Sequence, residues 1–252
     1  MSESGPGKIT LFNDFFSGLD KISGAAVTEI WDSYALGDFH LYGQGTVELD
    51  SGAFVIPSAL SGAVRLTTTN ETEHCAAIGT TISIQPSLMG TIVMETRVQF
   101  NNTATKETFI GFSDTIDDVT IIEGEIMTGA TTTLTYTASD LIGFFQSADL
   151  SDADAWHMVN NGGSAGTSST VSTATETSDA IVAAEWDVLR LEIDTNGTAR
   201  WYANGTLEKT LVGAVAPTVA LGLICGVEAK GANVEELDVD YLLLKANRDW
   251  TR

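Results

Sequence analysis

The chain has 252 residues, 43% of them hydrophobic, enough to bury a large core as one domain or as two smaller ones. Its 34 acidic residues outnumber 12 basic ones for a net charge of −22, which argues against nucleic acid as a partner, because that binding depends on Lys and Arg neutralising phosphates. No run approaches the roughly 18 apolar residues of a membrane span, and MSESGPGKIT lacks the basic-then-apolar opening of a signal peptide, so neither membrane association nor classical secretion is expected.

Residues 1 to 8 are small and polar and read as an N-terminal arm. Aromatic residues then cluster at Phe12, Phe15 and Phe16, and again at Trp31, Tyr34, Phe39 and Tyr42 among glycines. Such spacing suits short strands and tight corners better than helices. From Gly62 the strand patterns sharpen. In Thr91 to Phe100, Ile92, Met94, Val98 and Phe100 share one face, while Glu95, Arg97 and Gln99 share the other. ETFIGFSDT, IIEGEIM, TTLTYTAS, DLIGFFQS and AWHMVNNG follow at intervals near ten residues, which predicts a sandwich or barrel.

Asn160 to Asp179 is rich in Gly, Ser and Thr and reads either as an interdomain linker or as a loop plus a polar edge strand. The roughly 70 residues after it hold too few strands to cover both faces of a sheet, so one domain over residues 9–252 is expected. Trp186 to Leu211 contains three strand patterns separated by Asn196-Gly197 and Asn204-Gly205. Asn-Gly favours the type I′ hairpin turn because both residues tolerate positive φ. Here Leu189, Leu191 and Ile193 alternate with Arg190, Glu192 and Asp194, and Trp201 shares a phase with Ala199 and Ala203. In the closing segment VEELDVDYLLLKA, Leu237, Val239, Tyr241 and Leu243 are expected on one face and Leu242 and Leu244 on the other. The class is all-β, an antiparallel two-sheet sandwich. Cys75 and Cys225 are expected as two separate buried thiols.

Taken in order, these segments resemble the concanavalin A-like (laminin-G-like) jelly-roll domains of bacteriophage virion proteins. FNDFFSGL with Trp31 is similar to the family's opening. GAVRLTT, METRVQF and FIGFSDT are similar to its central strands, LRLEIDTNGTARWYANGTL to its hairpin, and LDVDYLLLKANR to its closing strand. The resemblance implies a jelly roll and a virion location. It does not imply one activity, since such sandwiches host many.

Laminarinase-like hydrolases share this sandwich and carry a Glu-x-Asp-x-(x)-Glu strand, whose paired carboxylates act as nucleophile and acid/base. The nearest matches are Glu236-Leu-Asp238-Val-Asp240, in the closing strand, and Glu192-Ile-Asp194, which runs into a turn. Both read as solvated strand faces. His40, His74 and His157 accompany no nucleophile elbow, and adjacent His74 and Cys75 point to opposite faces of a strand. No catalytic set is assembled, and the chain is expected not to be an enzyme. No cofactor is expected, although the acidic loops Asp114 to Asp118 and Asp149 to Asp154 are candidates for calcium. Tyr202 and Trp156 are candidates for stacking on a sugar.

The leading expectation is a capsid decoration protein on the virion surface, binding the major capsid protein and copies of itself. Ser2 to Asp14 is its candidate docking element. The alternatives are a tail-fibre or receptor-binding domain that recognises host surface glycan, and a glycan-cleaving enzyme.

Overall fold

The structure, a computed structural model, describes residues 7–15, 34–43, 52–55, 62–116, 121–167 and 175–249. Phe16, Trp31, Asp117, Asp118, most of the expected arm and the centre of the Gly/Ser/Thr-rich stretch lie outside the described residues.

Two antiparallel sheets face one another. The first runs β16 (Thr206–Leu211), β15 (Ala199–Ala203), β14 (Trp186–Ile193), β7 (Ile92–Phe100), β18 (Glu236–Asn247), β5 (Val64–Thr67) and β4 (Gly52–Val55). β1 (Lys8–Asn13) pairs with the far half of β18, from Lys8 opposite Asn247 to Asn13 opposite Leu242. The second sheet runs β13 (Glu176–Ala180), β12 (Ala155–Asn161), β11 (Leu141–Ser147), β8 (Lys106–Ser113), β17 (Gly222–Ala229), β6 (Cys75–Gly79), β3 (Phe39–Tyr42) and β2 (Tyr34–Leu36). This is the expected jelly-roll β-sandwich.

The period-two pattern of the first sheet places its apolar residues. β7 alternates buried and half-buried residues along its whole length, and Leu189, Leu191, Ile193, Ala199, Trp201 and Ala203 all turn inward. Trp201 crosses the interior, and its indole N–H donates to the Gly143 carbonyl of the facing sheet at 2.9 Å. Phe15, just beyond β1, is fully buried in the same core. The candidate docking element, Ser2 to Asp14, therefore includes a paired strand and runs directly into a core anchor.

Two local expectations are corrected. A β-bulge between Val239 and Tyr241 shifts the phase of β18. Leu237 and Val239 are therefore buried together with Leu242, Leu244 and Ala246, while Tyr241 and Leu243 turn outward. The two Asn-Gly dipeptides also differ. Asn204 and Gly205 both have positive φ (49° and 83°), as a type I′ turn requires. At the first, Gly197 N–H closes a turn onto the Asp194 carbonyl at 3.0 Å, with Gly197 in the left-handed region at φ 77°.

The second sheet departs from simple alternation: β8, β11 and β17 are buried at every residue. The cause is a second apolar layer on its outer face. A single wide helical turn, Ile121–Ile126, leads into a hairpin of β9 (Met127–Ala130) and β10 (Thr133–Tyr136). Ile121, Ile122, Ile126, Met127 and Leu134 from this cover pack on Phe109, Leu141, Phe145 and Ile224. A sheet covered on both faces needs near-continuous apolar strands. β13 is the outermost strand of this sheet, so the described part of the Gly/Ser/Thr-rich stretch ends in an edge strand. Cys75 and Cys225 are free and buried, one in each apolar layer.

Candidate functional site

Across the outer face of the second sheet, four strands in register place a row of polar side chains beneath the cover. Ser147 of β11 stands opposite Glu107 of β8, Glu107 opposite Glu228 of β17, and Glu228 opposite Cys75 of β6. Residues directly opposite on neighbouring strands have Cβ atoms about 5 Å apart, so the two carboxyl groups are close neighbours. Each continues the outward phase of its strand, Glu107 with Phe109 and Glu228 with Ile224. All four residues are fully buried.

The two carboxyls bind the cover to the sheet. Glu228 accepts hydrogen bonds from the backbone N–H groups of Ile122 at 2.9 Å and Glu123 at 3.1 Å. Glu107 Oε1 accepts from Ser147 Oγ at 2.7 Å and from the Gly129 N–H at 3.3 Å. Lys230 Nζ, just past β17, lies 2.5 Å from Glu123, 3.0 Å from Asp149 and 3.5 Å from Glu107. Glu107 Oε2 has no hydrogen-bond partner.

Burial disfavours the charged form of both acids. It raises Glu107 from 4.5 to about 7, against the opposing pull of Lys230 and the Ser147 hydroxyl. It raises Glu228 to about 8, opposed by the Ile122 N–H and reinforced by neighbouring Glu107. Burial also lifts the Cys75 thiol well above its ordinary value, with Glu228 adding to the effect. Carboxyls titrating near neutrality suit proton transfer, and here they lie under the chain's own cover.

Glu107, Glu123 and Glu228 bring oxygens within 4.8 Å of one another, as a metal site would. The Lys230 ammonium already stands among them as the cation. Of the loops considered for calcium, Asp149 is held by Lys230. Asp152 lies beside Glu176, whose acidity is weakened first by burial and then by Asp152.

The acids singled out from sequence lie elsewhere, on the outer face of the first sheet, in a ladder of ion pairs. Arg65 bridges Asp238 at 2.7 Å and Glu236 at 3.1 Å, and Arg97 reaches Asp240 at 2.8 Å. Arg190 joins Glu95 at 2.9 Å to Glu192 at 2.6 Å, and Arg200 holds Asp194 at 2.7 Å. Asp194 is more acidic than usual chiefly because of its hydrogen bond to Arg200. These faces are thus charge-paired rather than simply solvated. Trp156 is buried against Phe100 and Phe144 and is removed as a stacking candidate. Tyr202 is half-buried on the outer face, its hydroxyl 3.5 Å from Glu192. His74 contacts Thr69 and Glu71, while His157 is buried with Nδ1 3.4 Å from the Thr175 hydroxyl.

Glu107 and Glu228 were not singled out. Their signal was a carboxylate in a strand otherwise rich in apolar residues, in ETFIGFS and LICGVEA.

No family model matches the chain, and no curated protein does. Solved structures define its class as the concanavalin A-like jelly-roll β-sandwich, the fold also used by glycoside hydrolases. A protein of unknown function from Shewanella oneidensis MR-1 superposes with a TM-score of 0.62 at 13% identity, over 100% of this chain and 91% of that one. LamA from Zobellia galactanivorans, in complex with laminaritriose and laminaritetraose, gives 0.56 at 11% identity, over 93% and 97%. An endo-acting O-glycanase of the human gut microbiota gives 0.53 at 9% identity, also over 93% and 97%. These neighbours correct the expectation that the chain is not an enzyme: laminarinase and O-glycanase are built on the same sandwich, and a catalytic role is compatible with it. At these identities the likeness is one of fold.

Proposed function

We propose that this chain is a structural protein of a bacteriophage particle, a capsid decoration protein that binds the major capsid protein and further copies of itself. The observation that carries this reading is the closed construction of the sandwich. The outer face of the second sheet is filled by residues 121–136, and that of the first by paired charges. Contacts then fall to edges and loops, where Phe12, Val182, Leu207 and Val212 are exposed.

Charge supports a basic partner surface. Among the described residues, Arg65, Arg97, Lys106, Arg190, Arg200 and Lys230 are engaged in ion pairs. The remaining surface carries the acidic excess, so docking would be fast and salt-sensitive. Closed symmetry of the bound copies follows from the symmetry of a capsid lattice.

The test is co-sedimentation of purified protein with phage heads that lack it, across a salt series. Saturable binding in a fixed number of copies per head, weakening with salt, is expected. No co-sedimentation at any salt would overturn the proposal. The docking element is tested by deleting residues 2–7 alone, because removing residues up to Asp14 would also strip β1 from β18.

A second reading, a tail or receptor-binding domain for host glycan, is supported by the half-buried Trp186, Tyr202 and Tyr241 on the first sheet and by the fold shared with a laminari-oligosaccharide complex. A glycan array probed with wild-type protein and a Tyr202→Ala variant distinguishes it: saturable binding lost in the variant would favour this reading over the first.

A further inference from the structure

We infer that the segment Ile121–Tyr136 is a proton-controlled cover, latched to the second sheet by Glu107 and Glu228 and released as these two carboxyls lose their protons. The inference stands apart from the virion reading and rests on how the cover is attached.

The attachment is concentrated on two side chains. The first turn of the cover gives the N–H groups of Ile122 and Glu123 to Glu228. Its first strand gives the N–H of Gly129 to Glu107. The hairpin tip is tied by backbone alone, through Thr131 N–H to the Asp149 carbonyl at 2.7 Å and Ser151 N–H to the Thr131 carbonyl at 2.7 Å. Lys230 adds an ion pair to Glu123, the Thr128 hydroxyl donates to Glu107 at 3.4 Å, and apolar contact with Phe109, Leu141, Phe145 and Ile224 completes the packing.

Charge balance makes this attachment conditional. The groups that face the two latch carboxyls are Glu123 from the wide turn, Lys230 after β17, Asp149 after β11 and the Cys75 thiol from β6. The two latch carboxyls, Glu123 and Asp149 make four acids against a single ammonium. With Glu107 and Glu228 both ionised, two buried anions would stand side by side on adjacent strands. One of them would have an oxygen, Glu107 Oε2, with no hydrogen-bond partner. Like charges at such separation in a buried site do not ionise together cheaply. Burial accordingly moves both groups up, to about 7 and about 8.

The direction follows. The closed cover binds more protons than an open one between the ordinary glutamate value of 4.5 and about 8, so raising pH through that window favours opening. Opening would uncover an apolar sheet face bearing two carboxylates, hidden at low pH and available at high pH.

Hydrogen exchange on the intact chain from pH 6 to 9.5 tests the latch, after correction for the pH dependence of intrinsic exchange. The amides of Ile122, Glu123 and Gly129 should be less protected than the Leu191 and Trp201 amides of the first sheet, and should lose at least tenfold in protection across that range. Glu228→Gln keeps the carbonyl acceptor and removes the titration, so this loss should flatten. Glu107→Gln provides the same comparison should the first variant fold poorly. Cover amides as well protected as the first-sheet amides at every pH, or cover protection that does not fall as pH rises, in wild-type protein would overturn the inference, with no variant needed. An undiminished pH-dependent loss in a folded Gln variant would overturn the assignment to that carboxyl.

Discussion

Lys106 gives the sharpest energetic test of how the sandwich end is built. Its side chain is fully buried, with Nζ 3.2 Å from Glu235, itself almost fully buried. The same ammonium donates to Asn101 Oδ1 and to the Glu236 carbonyl, each at 2.6 Å. Burial pushes the Lys106 pKa down, and Glu235 pulls it back up. Lys106→Met fills most of the space but leaves Glu235 as a buried charge without its cation. Breaking a buried pair from one side costs about 3–5 kcal/mol. Removing both charges, in Lys106→Met with Glu235→Gln, should recover much of that loss, because the buried anion is gone. Urea unfolding followed by tryptophan fluorescence measures all three variants, since Trp156 and Trp201 sit in the core. A single-variant loss below about 1 kcal/mol, or a double variant no more stable than the single one, would refute the reasoning.

Other expectations follow from the same contacts. Arg65→Ala should cost under about 1 kcal/mol although it also removes ion pairs, because Arg65 is more than a third exposed; a loss like that of Lys106→Met would show the pair to be better shielded than its position suggests. Trp201→Phe deletes the N–H that reaches the Gly143 carbonyl and should cost about 2 kcal/mol by thermal melting. Global stability should fall as pH rises from about 5 to 9, since Glu107 and Glu228 hold protons in the folded chain that the unfolded chain releases. Melting curves across that range read it, and a flat or rising profile would contradict the assignment. Deleting residues 2–7 should leave the melting temperature nearly unchanged, whereas deleting residues 2–15 should lower it sharply, because β1 and Phe15 are lost with it.

Where one face of a strand is buried and the other half-exposed, the local pattern carried enough information. β7, β14 and β15 were legible residue by residue, because period-two alternation reports directly which side chains meet the core. The Asn204-Gly205 turn was legible for a similarly local reason, the tolerance of those residues for positive φ. β18 was not: a single extra residue at the bulge reverses the phase of everything after it, and bulges leave no reliable local mark. Nor could the chain show that a segment near residue 121 returns to cover the second sheet. That packing makes β8, β11 and β17 two-sided, and it makes Glu107 and Glu228 buried partners. Residues 107 and 228 are 121 positions apart, and only the pairing of β8 with β17 sets them opposite each other. Alternation and turn chemistry are written in neighbouring residues and can be read there. The register between distant strands and the desolvation of a carboxyl belong to the assembled sandwich, because they depend on which surfaces water has left.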